Sequence, residues 1–107
     1  MKYYKIRKEE IKKLIDDDRE CMASDKITVE GNKINFMYRE EPTSSSDSGW
    51  HFFEGSENEE YTNNPDNFDI YSVNTICNYD PDIIPYLDFP VGTQLERDKY
   101  GFKEVHY

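Results

Sequence analysis

Gly49-Trp50-His51-Phe52-Phe53-Glu54-Gly55 is the densest aromatic segment of the chain. Successive residues of an extended backbone point to opposite faces, so its large side chains fall on both sides. The segment therefore reads as a central strand buried on both faces. Immediately upstream, Glu41 to Ser48 is a polar loop, rich in Ser and carrying Pro42. Before that loop a period of two begins at Cys21. Ile27 and Val29 alternate with polar residues, and Ile34, Phe36 and Tyr38 do the same beyond Glu30-Gly31-Asn32. Two alternating runs about a Gly-containing turn predict a β-hairpin. Further upstream, Ile11, Leu14 and Ile15 lie at i, i+3 and i+4, with Lys and Glu on the other face. This spacing predicts a helix over residues 7–15. It would stop at Asp16-Asp17-Asp18, whose charges oppose the negative end of the helix dipole.

Downstream of the aromatic strand, residues 55–67 form a polar, acidic connection. A helix is predicted near Phe68–Asn78, with Ile70, Val73 and Cys77 at i, i+3 and i+7 and Ile76 widening the stripe. Asp66 or Asn67 would cap it, and Asp69 would sit in its first turn. Asp80-Pro81-Asp82 reads as the start of a second short helix, with Asp80 as N-cap and Pro81 at its first position. Pro85 limits that helix to one or two turns. The tail reads as a hairpin, Thr93–Arg97 and Phe102–His106, turning at Asp98–Gly101. The order of helix, strands, helices and strands predicts a single α+β domain with a mainly antiparallel sheet. We expect five to six strands and two to three helices, with residues 1–20 as a basic helical extension and 21–107 as the domain proper.

The chain has 107 residues, enough for one domain, and a chain of this size buries roughly 65% of its unfolded surface. It is 36% hydrophobic and 15% aromatic, with nine Tyr and six Phe. Acidic disordered chains are poor in aromatics, so this composition argues for a folded protein despite a net charge of −10. The charge is unevenly placed. Glu40 to Glu96 holds thirteen Asp and Glu residues and no Lys or Arg, whereas Lys2, Lys5, Arg7, Lys8, Lys12 and Lys13 all precede Asp16. Such a segment cannot neutralise its own carboxylates locally, and it favours a basic partner. The same charge argues against nucleic acid and anionic membranes as partners, since phosphate binding needs clustered cations. No apolar run approaches 18 residues, and no apolar core follows the basic N-terminus, so neither a membrane span nor a signal peptide is expected. Without an export signal, Cys21 and Cys77 read as reduced, partly buried thiols.

Motifs for catalysis are absent from the sequence. There is no phosphate-binding glycine loop, no G-x-S-x-G and no C-x-x-C. Glu54, Glu57, Glu59, Glu60, Asp66 and Asp69 supply oxygen ligands of the type calcium takes, but the spacing of a calcium loop is missing, and no metal or cofactor is expected. His51 and His106 are the only histidines. His51 with nearby carboxylates would suit general base chemistry, whereas the plainer reading is a histidine packed in a strand. Phe52 and Phe53 read as core. Trp50, Tyr61 and Tyr79 are divided between core and partner contact, because their polar tips tolerate a rim position.

Several blocks carry a family resemblance. These are Ser24-Asp25-Lys26-Ile27, Phe36-Met37-Tyr38-Arg39-Glu40-Glu41-Pro42 and Asp47-Ser48-Gly49-Trp50-His51-Phe52-Phe53. Downstream they continue through Glu59-Glu60-Tyr61, Asn64-Pro65-Asp66-Asn67, Asn74-Thr75-Ile76 and Asn78-Tyr79-Asp80-Pro81-Asp82-Ile83-Ile84-Pro85. Together they resemble the DUF2185 family of small bacterial proteins, over roughly residues 21–107. That family is grouped with Imm33-type immunity proteins of bacterial polymorphic toxin systems. The resemblance implies a cytoplasmic bacterial protein that binds and neutralises a toxin, with no catalytic residue to carry over. His51 stands where the family pattern has Arg or another polar residue, and Cys77 where it often has a small one.

The sequence thus supports a non-enzymatic, acidic binding module for a basic protein, and the resemblance makes that protein a toxin. Its candidate contact residues are Trp50, Glu54, Glu57, Glu59, Glu60, Tyr61, Asp66, Asp69 and Tyr79. Helix capping accounts for Asp80 and Asp82 without a partner. Two alternatives stand beside it: a small ligand-binding or hydrolase domain using His51, and a housekeeping protein with no toxin. The sequence sets no oligomeric state.

Overall fold

Strand pairing begins where alternation coincides with a partner of matching parity. In the computed structural model, which describes residues 1–107, six strands form one sheet in the order β4-β1-β3-β2-β5-β6. They are β1 (Glu20–Ser24), β2 (Phe36–Arg39), β3 (Asp47–Phe53), β4 (Phe68–Ser72), β5 (Gln94–Asp98) and β6 (Gly101–Glu104). The β1–β3 pair is parallel and the other four pairs are antiparallel. Three short α-helices accompany the sheet: α1 (Asp25–Thr28), α2 (Glu59–Thr62) and α3 (Val73–Tyr79). Single 3₁₀ segments occupy Lys8–Glu10, Pro65–Asn67 and Pro81–Tyr86. The expected α+β class, sheet and closing hairpin are all present.

The core lies on one face of the sheet. Cys21, Ala23, Met37, Trp50, Phe52 and Leu95 point into it from the strands. Ile27 of α1, Val73, Ile76 and Cys77 of α3, and Ile83 and Leu87 cover them. Both cysteines are free and buried. Trp50 is 1% exposed and donates its indole N–H to the Leu87 carbonyl at 3.0 Å. Phe52 on the same side of β3 is fully buried, whereas His51 and Phe53 on the other side are only half-buried. The aromatic strand is thus interior in the sheet but not covered on both faces, because α1, α3 and the Pro81–Tyr86 turn all pack on the Trp50 side.

Three local expectations are corrected. Residues 27–38 are not a hairpin, because Ser24 caps a helical turn by accepting the Lys26 amide at 3.1 Å. Gly31, at φ +84°, then ends that turn, its N–H bonding to the Ile27 carbonyl at 2.9 Å. Gly-Asn here is a helix stop, and β2 finds its partners in β3 and β5 instead. The expected helix near Phe68–Asn78 is a strand followed by a helix. Phe68, Ile70 and Ser72 sit opposite Ser24, Met22 and Glu20 of β1, and the Ser72 hydroxyl caps α3 through the Thr75 amide at 3.1 Å. Residues 7–15 are not a helix either. Only Lys8–Glu10 closes a single 3₁₀ turn, and residues 12–15 lie along α3, where Asn74 and Asn78, one turn apart, supply side-chain amides in place of helical backbone partners. Asn74 Oδ1 accepts from the Leu14 and Ile15 amides at 2.7 and 3.1 Å, and Asn78 Oδ1 accepts from Lys12 at 2.9 Å. Both Nδ2 groups return to the Lys12 carbonyl at 2.9 Å.

Asp80 joins these layers. It is fully buried and caps the Pro81–Tyr86 turn by accepting from the Asp82 amide at 3.1 Å. It also accepts from the Ile34 amide at 3.0 Å and from Arg97 of β5 at 2.7 Å.

Candidate functional site

The face of the sheet away from the helices carries Met22 on β1, Ile70 and Phe68 on β4, His51 and Phe53 on β3, and Phe36 and Tyr38 on β2. The register makes this a necessity: Met22 pairs with both His51 and Ile70, and Tyr38 pairs with His51. The rings form a contiguous array. Tyr38 stacks on His51 at 4.7 Å and 8°, and on Phe53 at 5.7 Å and 14°. Phe53 meets Phe68 edge-on at 5.8 Å, and Phe68 meets Tyr61 of α2 edge-on at 5.7 Å. Helix α2 and the Pro65–Asn67 turn border this face at one end.

Carboxylates surround the rings. Glu40 Oε1 lies 3.0 Å from His51 Nε2. Burial holds the imidazole below its ordinary pKa, while the Glu40 and Asp47 charges oppose that effect. Burial also raises the Tyr38 phenol, helped by the neighbouring Glu40. Asp47 is held rigidly, its two oxygens accepting from the Thr43 and Gly49 amides at 3.0 and 2.9 Å. No three His, Cys, Asp or Glu side chains converge in a geometry that would hold a metal ion, and no helix is long and apolar enough to cross a membrane.

The model of one family, the Immunity protein Imm33 domain, matches residues 21–106. The chain belongs to the Imm33 immunity protein family. Membership carries an immunity-protein role in general. No curated protein and no solved structure matches the chain.

Within this Imm33 domain the sequence-derived candidates separate into two groups. Glu54, Glu57, Glu59, Glu60, Tyr61, Asp66 and Asp69 all come from the connection between β3 and β4 or from the start of β4. Glu57 shapes that connection, accepting from the Glu54 and Gly55 amides at 2.8 Å each. Glu59, Glu60 and Asp66 are exposed. Asp69 has a long contact with Lys2 at 3.9 Å, and none of the other five acids has a cation within salt-bridge distance. The Tyr61 hydroxyl rests 3.4 Å from Ser24 Oγ, with Lys26 over its ring at 5.2 Å.

Trp50 and Tyr79 do not join this group. Trp50 is in the core, and its polar tip is satisfied by Leu87 rather than by a rim position. Tyr79 is half-buried on the helix side of the sheet, where its hydroxyl accepts the Ile6 amide at 3.2 Å. Sequence reasoning did not include Phe36, Tyr38, Phe68 or Glu40 among the contact residues. The signal was parity: Phe36 and Tyr38 alternate with buried Met37, and His51 and Phe53 alternate with buried Trp50 and Phe52. Only the location of the helices says which parity is covered.

Proposed function

We propose that this Imm33 protein acts in the cytoplasm by binding and neutralising a basic toxin, without catalysing a reaction itself. The observation that carries the reading is the set of carboxylates at Glu54, Glu57, Glu59, Glu60 and Asp66, which have no cationic partner within the protein. Uncompensated charges of one sign raise the local potential and repel one another, a cost that a basic partner relieves. Long-range attraction of this kind raises association rates to about 10⁸ M⁻¹s⁻¹ at low salt. Screening over about 8 Å at physiological ionic strength reduces the gain. Tyr61, half-buried beside these acids, would supply an aromatic anchor within a charged rim.

One observation favours a ligand-binding or hydrolytic reading: the His51–Glu40 contact at 3.0 Å beside the Tyr38 ring. It orients an imidazole at an open surface. Yet no Ser, Thr or Cys side chain is hydrogen-bonded to His51 as a nucleophile, so binding is the better account.

The test is co-expression with candidate toxins encoded near the gene, comparing the wild type with the triple variant Glu59→Lys, Glu60→Lys, Asp66→Lys. These three side chains are exposed, so the fold is expected to persist in circular dichroism. Loss of protection with an unchanged fold supports the reading. Full protection by the charge-reversed protein overturns it.

A further inference from the structure

We infer that the uncovered face of the sheet is the docking floor for the toxin, with an arginine or lysine side chain of the toxin seated beside His51 among Glu20, Glu40, Glu41 and Asp47. The identity of the partner rests on the immunity reading above, whereas the site rests on the geometry of this face.

A half-solvated antiparallel sheet ordinarily turns polar side chains outward. Here the outward residues are Met22, Phe36, Tyr38, Phe53, Phe68 and Ile70, and Ile70 is 52% exposed. Only Tyr61 of α2, against Phe68, and Tyr107, against Phe36, border them, and the core helices α1 and α3 lie on the other face. Three depressions run along this face and merge, the first and second sharing Phe53 and Thr62, the second and third sharing Met22, His51 and Ile70. An exposed apolar trough rimmed by polar groups is the usual form of a protein interaction surface.

Charge selects the occupant. Eight carboxylates line the three depressions: Glu54, Glu57 and Glu96 in the first, Asp69 in the second, and Glu20, Glu40, Glu41 and Asp47 in the third. The one guanidinium among the lining residues, Arg97, is already committed to Asp80 at 2.7 Å and to Asp82 at 3.5 Å. A second copy of the chain, itself at −10, would bring the same charges together and is disfavoured on this face. Nucleic acid and anionic lipid are disfavoured for the same reason. A basic protein surface is complementary to both the rim and the floor.

The His51 end is the place for one buried cation. Four carboxylates line this depression, and no Lys or Arg does. Glu20 and Glu41 form no ion pair, Glu40 pairs with the imidazole and neighbours the Tyr38 phenol but meets no Lys or Arg, and Asp47 is fixed by backbone amides. A guanidinium offers several donors in one plane, matching carboxylates that approach from several sides. The apolar floor at Met22 and Ile70 excludes water when the partner docks, which lowers the local dielectric and strengthens each pair. Glu54 and Glu57 line the far end of the same trough, which joins it to the acidic loop.

The full chain is titrated by NMR with the dipeptide acetyl-Phe-Arg-amide, and in parallel with its uncharged counterpart acetyl-Phe-citrulline-amide. The expected result is saturable shifts of the His51 imidazole, the Tyr38 ring and the Met22 methyl with the arginine peptide only. The Glu40→Gln/Glu41→Gln variant, whose two side chains are exposed, is expected to weaken that binding by about tenfold. Shifts spread over all the acidic residues, or equal shifts with the citrulline peptide, overturn the site. The same variant is then compared with the wild type in the toxin-protection assay. If the wild type protects and the variant protects equally, the docking site is overturned and the immunity reading stands. If the wild type itself gives no protection, the immunity reading fails and the toxin is removed as occupant, while the peptide titration still decides whether the face holds a cation.

Discussion

Removing the Asp80 carboxylate should be among the most damaging single changes in this protein. Its side chain is fully buried and holds three donors: the amides of Ile34 and Asp82 and the guanidinium of Arg97. Arg97 is itself 17% exposed, so Asp80→Ala leaves a largely buried cation and a buried amide without their acceptor. Breaking a buried pair by deleting one partner costs about 3–5 kcal/mol, and losing an N-cap costs about 1 kcal/mol more. Arg97 retains Asp82 at 3.5 Å and the face of Phe102 at 4.3 Å, which places the pair term at the lower end. A total of about 4 kcal/mol is therefore expected, a large part of the 5–15 kcal/mol typical of a domain. With an unfolding entropy of about 2.1 cal/mol/K per residue, 107 residues convert this to a fall of about 18 °C in melting temperature. Asp80→Asn can keep the capping oxygen toward Asp82 but puts an NH2 donor where Oδ2 accepts from Ile34 and Arg97, so about 3 kcal/mol is expected. Adding Arg97→Met to Asp80→Asn should recover part of that loss, because it removes the stranded cation. Urea denaturation with the four proteins measures each term. An Asp80→Ala protein within about 1 kcal/mol of wild type would refute the account, since no buried charge could then have been uncovered.

Three further outcomes follow from the same structure. Gly49 has φ +83°, and a Cβ there would lie 2.1 Å from the Glu40 carbonyl oxygen, so Gly49→Ala should lose well over about 2 kcal/mol in urea denaturation or fail to fold. Asn74→Ala/Asn78→Ala should free the 12–15 segment, seen as faster amide hydrogen exchange at Lys12, Leu14 and Ile15 with the sheet amides unchanged. His51 should titrate below its ordinary value of 6.5 in proton NMR, because burial disfavours the imidazolium more than Glu40 and Asp47 favour it. The unfolded chain then binds more protons in the window between the two values. The His51 contribution to stability is thus full above pH 6.5 and declines as pH falls toward the folded midpoint, and Glu40→Gln should lower that midpoint further.

The local chemistry of several elements was legible before any coordinates. Asp80-Pro81 announced its capped turn, and the closing hairpin announced itself by alternation around Asp98–Gly101. Where local reading failed, two signals competed. Ser24 and Gly31 mark the start and stop of a helical turn as well as Ile27 and Val29 mark an alternating run, and the buried Ile27 and Thr28 show which signal prevailed. Ile70 fits a helical stripe with Val73 and Cys77 only until β1 provides a partner for Phe68–Ser72. The basic segment 7–15 has helical spacing, but only Lys8–Glu10 closes a turn, and Asn74 and Asn78 bind the backbone of Lys12, Leu14 and Ile15 in place of further helical bonds.

By itself the sequence determined the class of the fold, the family resemblance, the acidity of the middle of the chain and the presence of an aromatic strand at its centre. These follow from residue types, short-range spacing and sequence motifs. Only the tertiary structure decided that Trp50 is core and Phe53 is surface, and that Glu40 stands beside His51. The reason is that a strand states its two parities equally well. Which one is buried depends on where helices distant in sequence come to rest, and here α1, α3 and the Pro81–Tyr86 turn all chose the Trp50 side.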